Sequence, residues 1–70
     1  VKRKALIKLI RIRALERGIL KVHIVEGKRH TKCFVGKSQT SIGRHKEISD
    51  IDLRSIVKDL EPALGAKWLR

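Results

Sequence analysis

LKVHIVEGKRHTKCFVGKSQTSIG, residues 20–43, is the stretch that decides the fold. From Leu20 to Glu26 the side chains alternate: Leu20, Val22 and Ile24 share one face, Lys21, His23 and Val25 the other, the two-residue period of a half-buried strand. Gly27 interrupts that run, and Thr31 to Val35 reads as a second strand. The short turn Gly36-Lys37-Ser38 then leads into a third, from Gln39 to Ile42. Connections this short join antiparallel neighbours. Gly43 opens a loop that carries Arg44, His45, Lys46 and Glu47.

Outward from this core, both flanks read as helices. Lys2 to Arg17 contains no Gly, Pro, Asn, Ser or Thr and consists almost wholly of Ala, Leu, Ile, Lys and Arg, all compatible with a helix that Gly18 stops. On a helical wheel Ala5, Leu6, Ile7, Leu9, Ile10, Ile12 and Ala14 sweep a broad apolar arc, while Lys4, Lys8 and Arg11 cluster opposite with Leu15 among them. The arc is wider than one sheet face requires, so part of it is a candidate contact for a second chain.

On the other flank, Ser49 stands as N-cap with Asp52 as its capping-box partner, and Ile48 with Leu53 forms a hydrophobic staple. Leu53, Ile56, Val57 and Leu60 make one buried stripe, and Pro62 is expected to limit this helix to about Leu60. Residues 61–70 are left as a C-terminal tail in which Trp68 is expected to pack on the body. The expected architecture is α+β, in the order α-β-β-β-α, a three-stranded antiparallel sheet with two helices on one face.

Seventy residues accommodate a single domain spanning 1–70, with at most one site. Eighteen Lys and Arg against 7 Asp and Glu give a charge of +11, well beyond what solubility requires, and point to a polyanionic partner. With 41% hydrophobic residues the chain can bury a core rather than remain a basic tail. The charge is lopsided: residues 1–46 hold 14 cations against Glu16 and Glu26, whereas residues 47–70 hold 4 against 5 acids. One-sided charge suits a nucleic-acid backbone. An anionic membrane surface is a weaker fit, because the apolar arc is needed in the core and no aromatic belt accompanies it. Only Phe34 and Trp68 are available for base stacking, so phosphate contacts should dominate.

The single cysteine, Cys33, excludes an internal disulfide framework and any zinc site needing two thiolates, and suits a reducing cytoplasm. No apolar run approaches a membrane span, and the basic start lacks the uninterrupted apolar region of a signal peptide. Three scattered histidines without paired carboxylates suggest no metal, and no cofactor motif is present. Of the three, His30 is the most suggestive. It stands beside Lys28 and Arg29, whose charge opposes a further proton on the ring, so a neutral imidazole able to accept the proton of a ribose 2′-hydroxyl is the expectation. His45, between Arg44 and Lys46, is a second candidate, for phosphate contact or as an acid. His23 reads as structural or solvent-facing.

Taken together, Gly27-Lys28-Arg29-His30 opening a strand, a short hairpin, Arg44-His45-Lys46-Glu47-Ile48, a capped helix start and Leu53-Arg54-Ser55-Ile56-Val57-Lys58-Asp59-Leu60 resemble the HicA toxins of HicA/HicB toxin-antitoxin pairs. The likeness covers about Gly27 to Leu60. It implies a fold of the double-stranded-RNA-binding type and an mRNA endoribonuclease blocked by a HicB-type antitoxin, with no metal. His30 matches the family's catalytic histidine and Gly27 the glycine shaping the preceding turn. Lys28, Arg29, Lys32, Lys37, Arg44, His45 and Lys46 are the expected RNA contacts. Lys28 and Gly43 depart from the family pattern, where many members have Gly and Pro, and the segment from Leu6 to His30 is several residues longer than common. A non-catalytic RNA-binding module of the same topology is the competing reading, and a subunit that works only inside a complex is a third.

Overall fold

The computed structural model describes residues 1–66, 68 and 69. Its elements are α1 (Arg3–Glu16), β1 (Val22–Glu26), β2 (His30–Val35), β3 (Ser38–Gly43) and α2 (Asp50–Leu64), with strand order β1-β2-β3, both pairs antiparallel. This is the expected α-β-β-β-α order. Partners across the sheet share a face. Glu26, Thr31 and Ile42 therefore point the same way, as do Ile24, Cys33 and Thr40, and Val22, Val35 and Ser38. All the buried strand residues, Thr31, Cys33, Val35, Thr40 and Ile42, lie on this side, and one core joins them to Leu6, Ile10 and Ala14 of α1 and Ile56, Leu60 and Leu64 of α2. Both helices thus cover one face. The other face carries His23, Val25, His30, Lys32, Phe34, Gln39 and Ser41, and is open.

Two sequence expectations need correction. Leu20 is 85% exposed, because β1 begins only at Val22. The end of α1 explains this: Ile19 N–H donates to Ala14 O at 2.9 Å, which turns Ile19 towards the core and leaves Leu20 outside. The second correction concerns α2, which runs to Leu64 with Pro62 inside it rather than stopping near Leu60. A proline within a helix costs about 3 kcal/mol. Beyond it, however, Leu64 and Trp68 are buried, and burying an aliphatic side chain contributes about 1.5–3 kcal/mol, a Trp more. Trp68 Nε1–H donates to Val57 O at 2.9 Å and Arg13 Nε–H donates to Trp68 O at 3.0 Å, so this part of the expected tail belongs to the body. Gly65 ends the helix at φ +89° with its N–H on Glu61 O. Lys67 and Arg70 lie outside the described residues.

Ser49 caps α2 as expected, its Oγ accepting from Asp52 N–H at 3.2 Å, and Ile48 is buried with Leu53 packed against the core. At the same end of the molecule the N-terminal residues pair with the segment entering α2. Arg3 N–H donates to Lys46 O at 2.9 Å and Ile48 N–H to Val1 O at 2.7 Å. The first turn of α1, the β1–β2 turn, the end of β3 and the start of α2 are thereby gathered together.

Candidate functional site

His30 is the first residue of β2 and is exposed, on the open face of the sheet. The turn before it is tight. Gly27 N–H donates to His30 O at 2.9 Å, and a Cβ on Gly27 would stand 2.7 Å from that same oxygen, so no other residue fits without moving the strand. Charge holds the turn from outside. Arg44 Nη1–H donates to Gly27 O at 2.8 Å while its Nε lies 3.4 Å from Glu26 Oε2. Arg3, from α1, donates to Glu26 Oε1 at 2.9 Å and also to Thr31 Oγ1, and Thr31 Oγ1–H donates to Glu26 Oε2 at 3.1 Å. The Arg3 hydrogen bond is the main reason the Glu26 carboxyl is held below its ordinary value, with Thr31 and Arg44 acting in the same direction against partial desolvation. Glu26 is thus an anion fixed between two cations, immediately before the turn that presents His30.

Across the hairpin His30 pairs with Gly43. No side chain grows from Gly43 beside the imidazole, and the ring of His45 occupies that neighbourhood: its Cδ2 is 3.4 Å from where a Gly43 Cβ would stand. Gly43 thus neighbours the backbone of His30 on one side and the ring of His45 on the other. Beyond them a hollow of about 420 Å³ is lined by Lys2, Arg3, Lys4, Arg44, His45, Lys46 and Glu47. Its lining is strongly cationic.

Of the residues nominated from sequence, the structure brings His30, Lys28, Arg29, Arg44, His45 and Lys46 to one end of the molecule. Lys32 projects from the open sheet face, two residues along β2 from His30. Lys37 sits in the β2–β3 turn at the far end of the strand, a strand length of roughly 17–20 Å away. Sequence reading missed Arg3, Glu26 and Thr31, which brace the turn, and Lys2 and Lys4, which complete the hollow. The only signal for Glu26 was its isolation as one of two acids in the first 46 residues. Cys33 lies in the core, where burial pushes its thiol up, against a smaller opposite pull from Arg11, so it is no nucleophile. Among the described residues no cluster of His, Cys, Asp and Glu could hold a metal ion, and no helix is long and apolar enough to cross a membrane.

No protein-family model matches the chain, and neither the curated proteins nor the solved structures searched include a significant match.

Proposed function

We propose that the protein is an endoribonuclease toxin of the HicA kind, cleaving mRNA in the cytoplasm with His30 as general base. The observation that carries this reading is the exposed imidazole of His30, presented by a turn that Gly27, Glu26 and Arg44 brace, at the end of the molecule where Arg44, His45 and Lys46 also line a cationic hollow. In the proposed reaction His30 takes the proton of a ribose 2′-hydroxyl, the 2′-oxygen bonds to the adjacent phosphorus, and the bond from phosphorus to the 5′-oxygen breaks. Lys28, Arg29 and Lys46 offset charge gathering on the phosphoryl oxygens. His45, whose ring lies beside Gly43, is the candidate to protonate the departing 5′-oxygen. The products are a 2′,3′-cyclic phosphate and a free 5′-hydroxyl, and no metal takes part.

An acidic antitoxin of the HicB type would block the site by covering His30 and competing with RNA for the same cations. Titrating such a partner into the cleavage reaction should stop it at stoichiometric ratio, and continued cleavage would count against direct occlusion.

The fold order also suits a non-catalytic binder of duplex RNA. Against that reading, the α2 N-terminus, which would have to approach phosphates, carries Asp50 and Asp52. Substituting His30 by Ala separates the two. An enzyme loses cleavage of single-stranded RNA while RNA affinity stays within a few-fold, whereas a binder shows no cleavage before or after the change.

A further inference from the structure

The cations of the hollow do not end at its wall. Lys4 lines it and is also the first residue of a stripe on the outer face of α1, where Lys4, Lys8 and Arg11 fall at successive turns, all exposed. The stripe is about 10 Å long at 1.5 Å per residue. Among the described residues no acidic side chain pairs with Lys2, Lys4, Lys8, Arg11 or Lys46, in contrast to Arg3, Arg13 and Arg44, whose guanidinium groups are engaged by carboxylates. The first turn of α1 contains no acid, so the partial positive charge of the helix end adds to theirs. Glu47 also lines the hollow, paired with the N-terminal amine at 3.7 Å, and the first turn of α2 that follows it carries Asp50 and Asp52.

The geometry points to a track for one RNA strand that leaves the His30 site, crosses the hollow over Lys46, Lys2 and Lys4, and continues along α1 past Lys8 to Arg11. This deepens the nuclease reading by assigning the path of the substrate backbone. One strand rather than a duplex is favoured because Asp50 and Asp52 in the first turn of α2 would repel a second backbone lying towards that helix. Free lysines at successive turns of a helix are what a flexible phosphodiester chain needs, since point charges on long stems tolerate variation in phosphate position. Base identity has little influence on such contacts.

The test uses the full chain carrying His30→Ala, so that RNA stays intact. Its affinity for a short fluorescent single-stranded RNA is measured by anisotropy over a range of salt concentrations. The further changes Lys4→Gln, Lys8→Gln and Arg11→Gln remove the stripe with residues that keep a helix, and the control set Lys21→Gln, Arg54→Gln and Lys58→Gln removes equal charge elsewhere. The stripe variant should bind about tenfold or more weaker, with a log–log salt slope shallower by about 2, as expected for three lost single-strand phosphate contacts. The control set should shift affinity far less. Equal losses in the two sets, or no loss in the stripe variant, overturn the track, and so does tighter binding of duplex than of single strand. Lys8→Glu alone provides a second variant with the fold least disturbed, and unchanged affinity there also counts against the track. Cleavage by the protein with His30 intact is read separately: stripe-dependent binding without cleavage sinks the nuclease and keeps the track, and cleavage with stripe-independent binding does the reverse.

Discussion

The two turns of the sheet look alike in sequence and differ in how they are held. Gly27-Lys28 opens the β1–β2 turn and Gly36-Lys37 the β2–β3 turn. Gly36 has φ +58°, the left-handed conformation of a tight hairpin, and a Cβ there would meet only ordinary contact with Ile19 at 3.8 Å. Gly27 has no positive φ, and its constraint is the His30 carbonyl 2.7 Å from a would-be Cβ. The β2–β3 turn is fixed by backbone, with Gly36 N–H on Lys21 O at 3.0 Å. The β1–β2 turn is fixed by backbone and by a set of side chains drawn from α1, β2 and the loop after β3. A turn that only reverses the chain needs a conformation, whereas a turn that must aim an imidazole needs bracing from several elements. Among the described residues, two of this strongly basic molecule's ion pairs, Arg3–Glu26 and Arg44–Glu26, gather at that bracing.

The largest expected contrast comes from the histidine. His30→Ala should lower RNA cleavage by about 10²–10⁴-fold, the usual range for a lost general base, with thermal stability unchanged because the side chain is exposed. His45→Ala should reduce cleavage by a similar order if it serves as acid, and by only a few-fold if it merely contacts phosphate; single-turnover rates at saturating RNA distinguish these.

Next come the glycines. Gly27→Ala should open the turn and reduce cleavage by about tenfold or more, since misplacing a catalytic group by about 1 Å is that costly. Gly36→Ala should cost about 1–2 kcal/mol of stability, the penalty for a left-handed non-glycine residue, and leave the rate per folded molecule unchanged. Denaturant titration alongside kinetics checks both, and equal effects on cleavage would erase the distinction between the turns.

A smaller and pH-dependent effect belongs to Glu26. Its folded-state carboxyl lies below the ordinary 4.5 because Arg3 donates to it, so its contacts stabilise the fold above that value and the contribution is lost as pH falls through the lower folded value. The difference in Tm between the unchanged protein and Glu26→Gln should be full at neutral pH and disappear in stronger acid. A difference constant across that window would show that the ion pairs contribute nothing. The smallest effect is at Cys33, which should resist alkylation in the folded protein and react once it is unfolded by denaturant.

Much of this fold was legible because it rests on short-range periodicity. The alternation from Val22 to Glu26, the unbroken helix formers before Gly18 and the Ser49 cap each specify local structure without help from distant residues. Leu20 and Pro62 were misread for the opposite reason. Ile19 replaces Leu20 in the core through a bond to Ala14, and α2 passes Pro62 because Leu64 and Trp68 have tertiary sites to fill. The site divides in the same way. His30, Lys28 and Arg29 are neighbours in the chain and could be grouped by eye. Glu26 with Arg44, Arg3 with Thr31, and His45 beside Gly43 become neighbours only when the sheet forms and the N-terminal residues pair with Lys46 and Ile48.

Whether His30 is the base is decided by the chemistry of the cut ends. Single-stranded RNA incubated with the purified protein in EDTA, then analysed by mass spectrometry, should yield fragments ending in 2′,3′-cyclic phosphate opposite 5′-hydroxyl ends, and the His30→Ala protein should yield about a hundredfold less or lower still. Intact RNA with the unchanged protein, or equal yields of these fragments from both proteins, would contradict the assignment of His30 as the base.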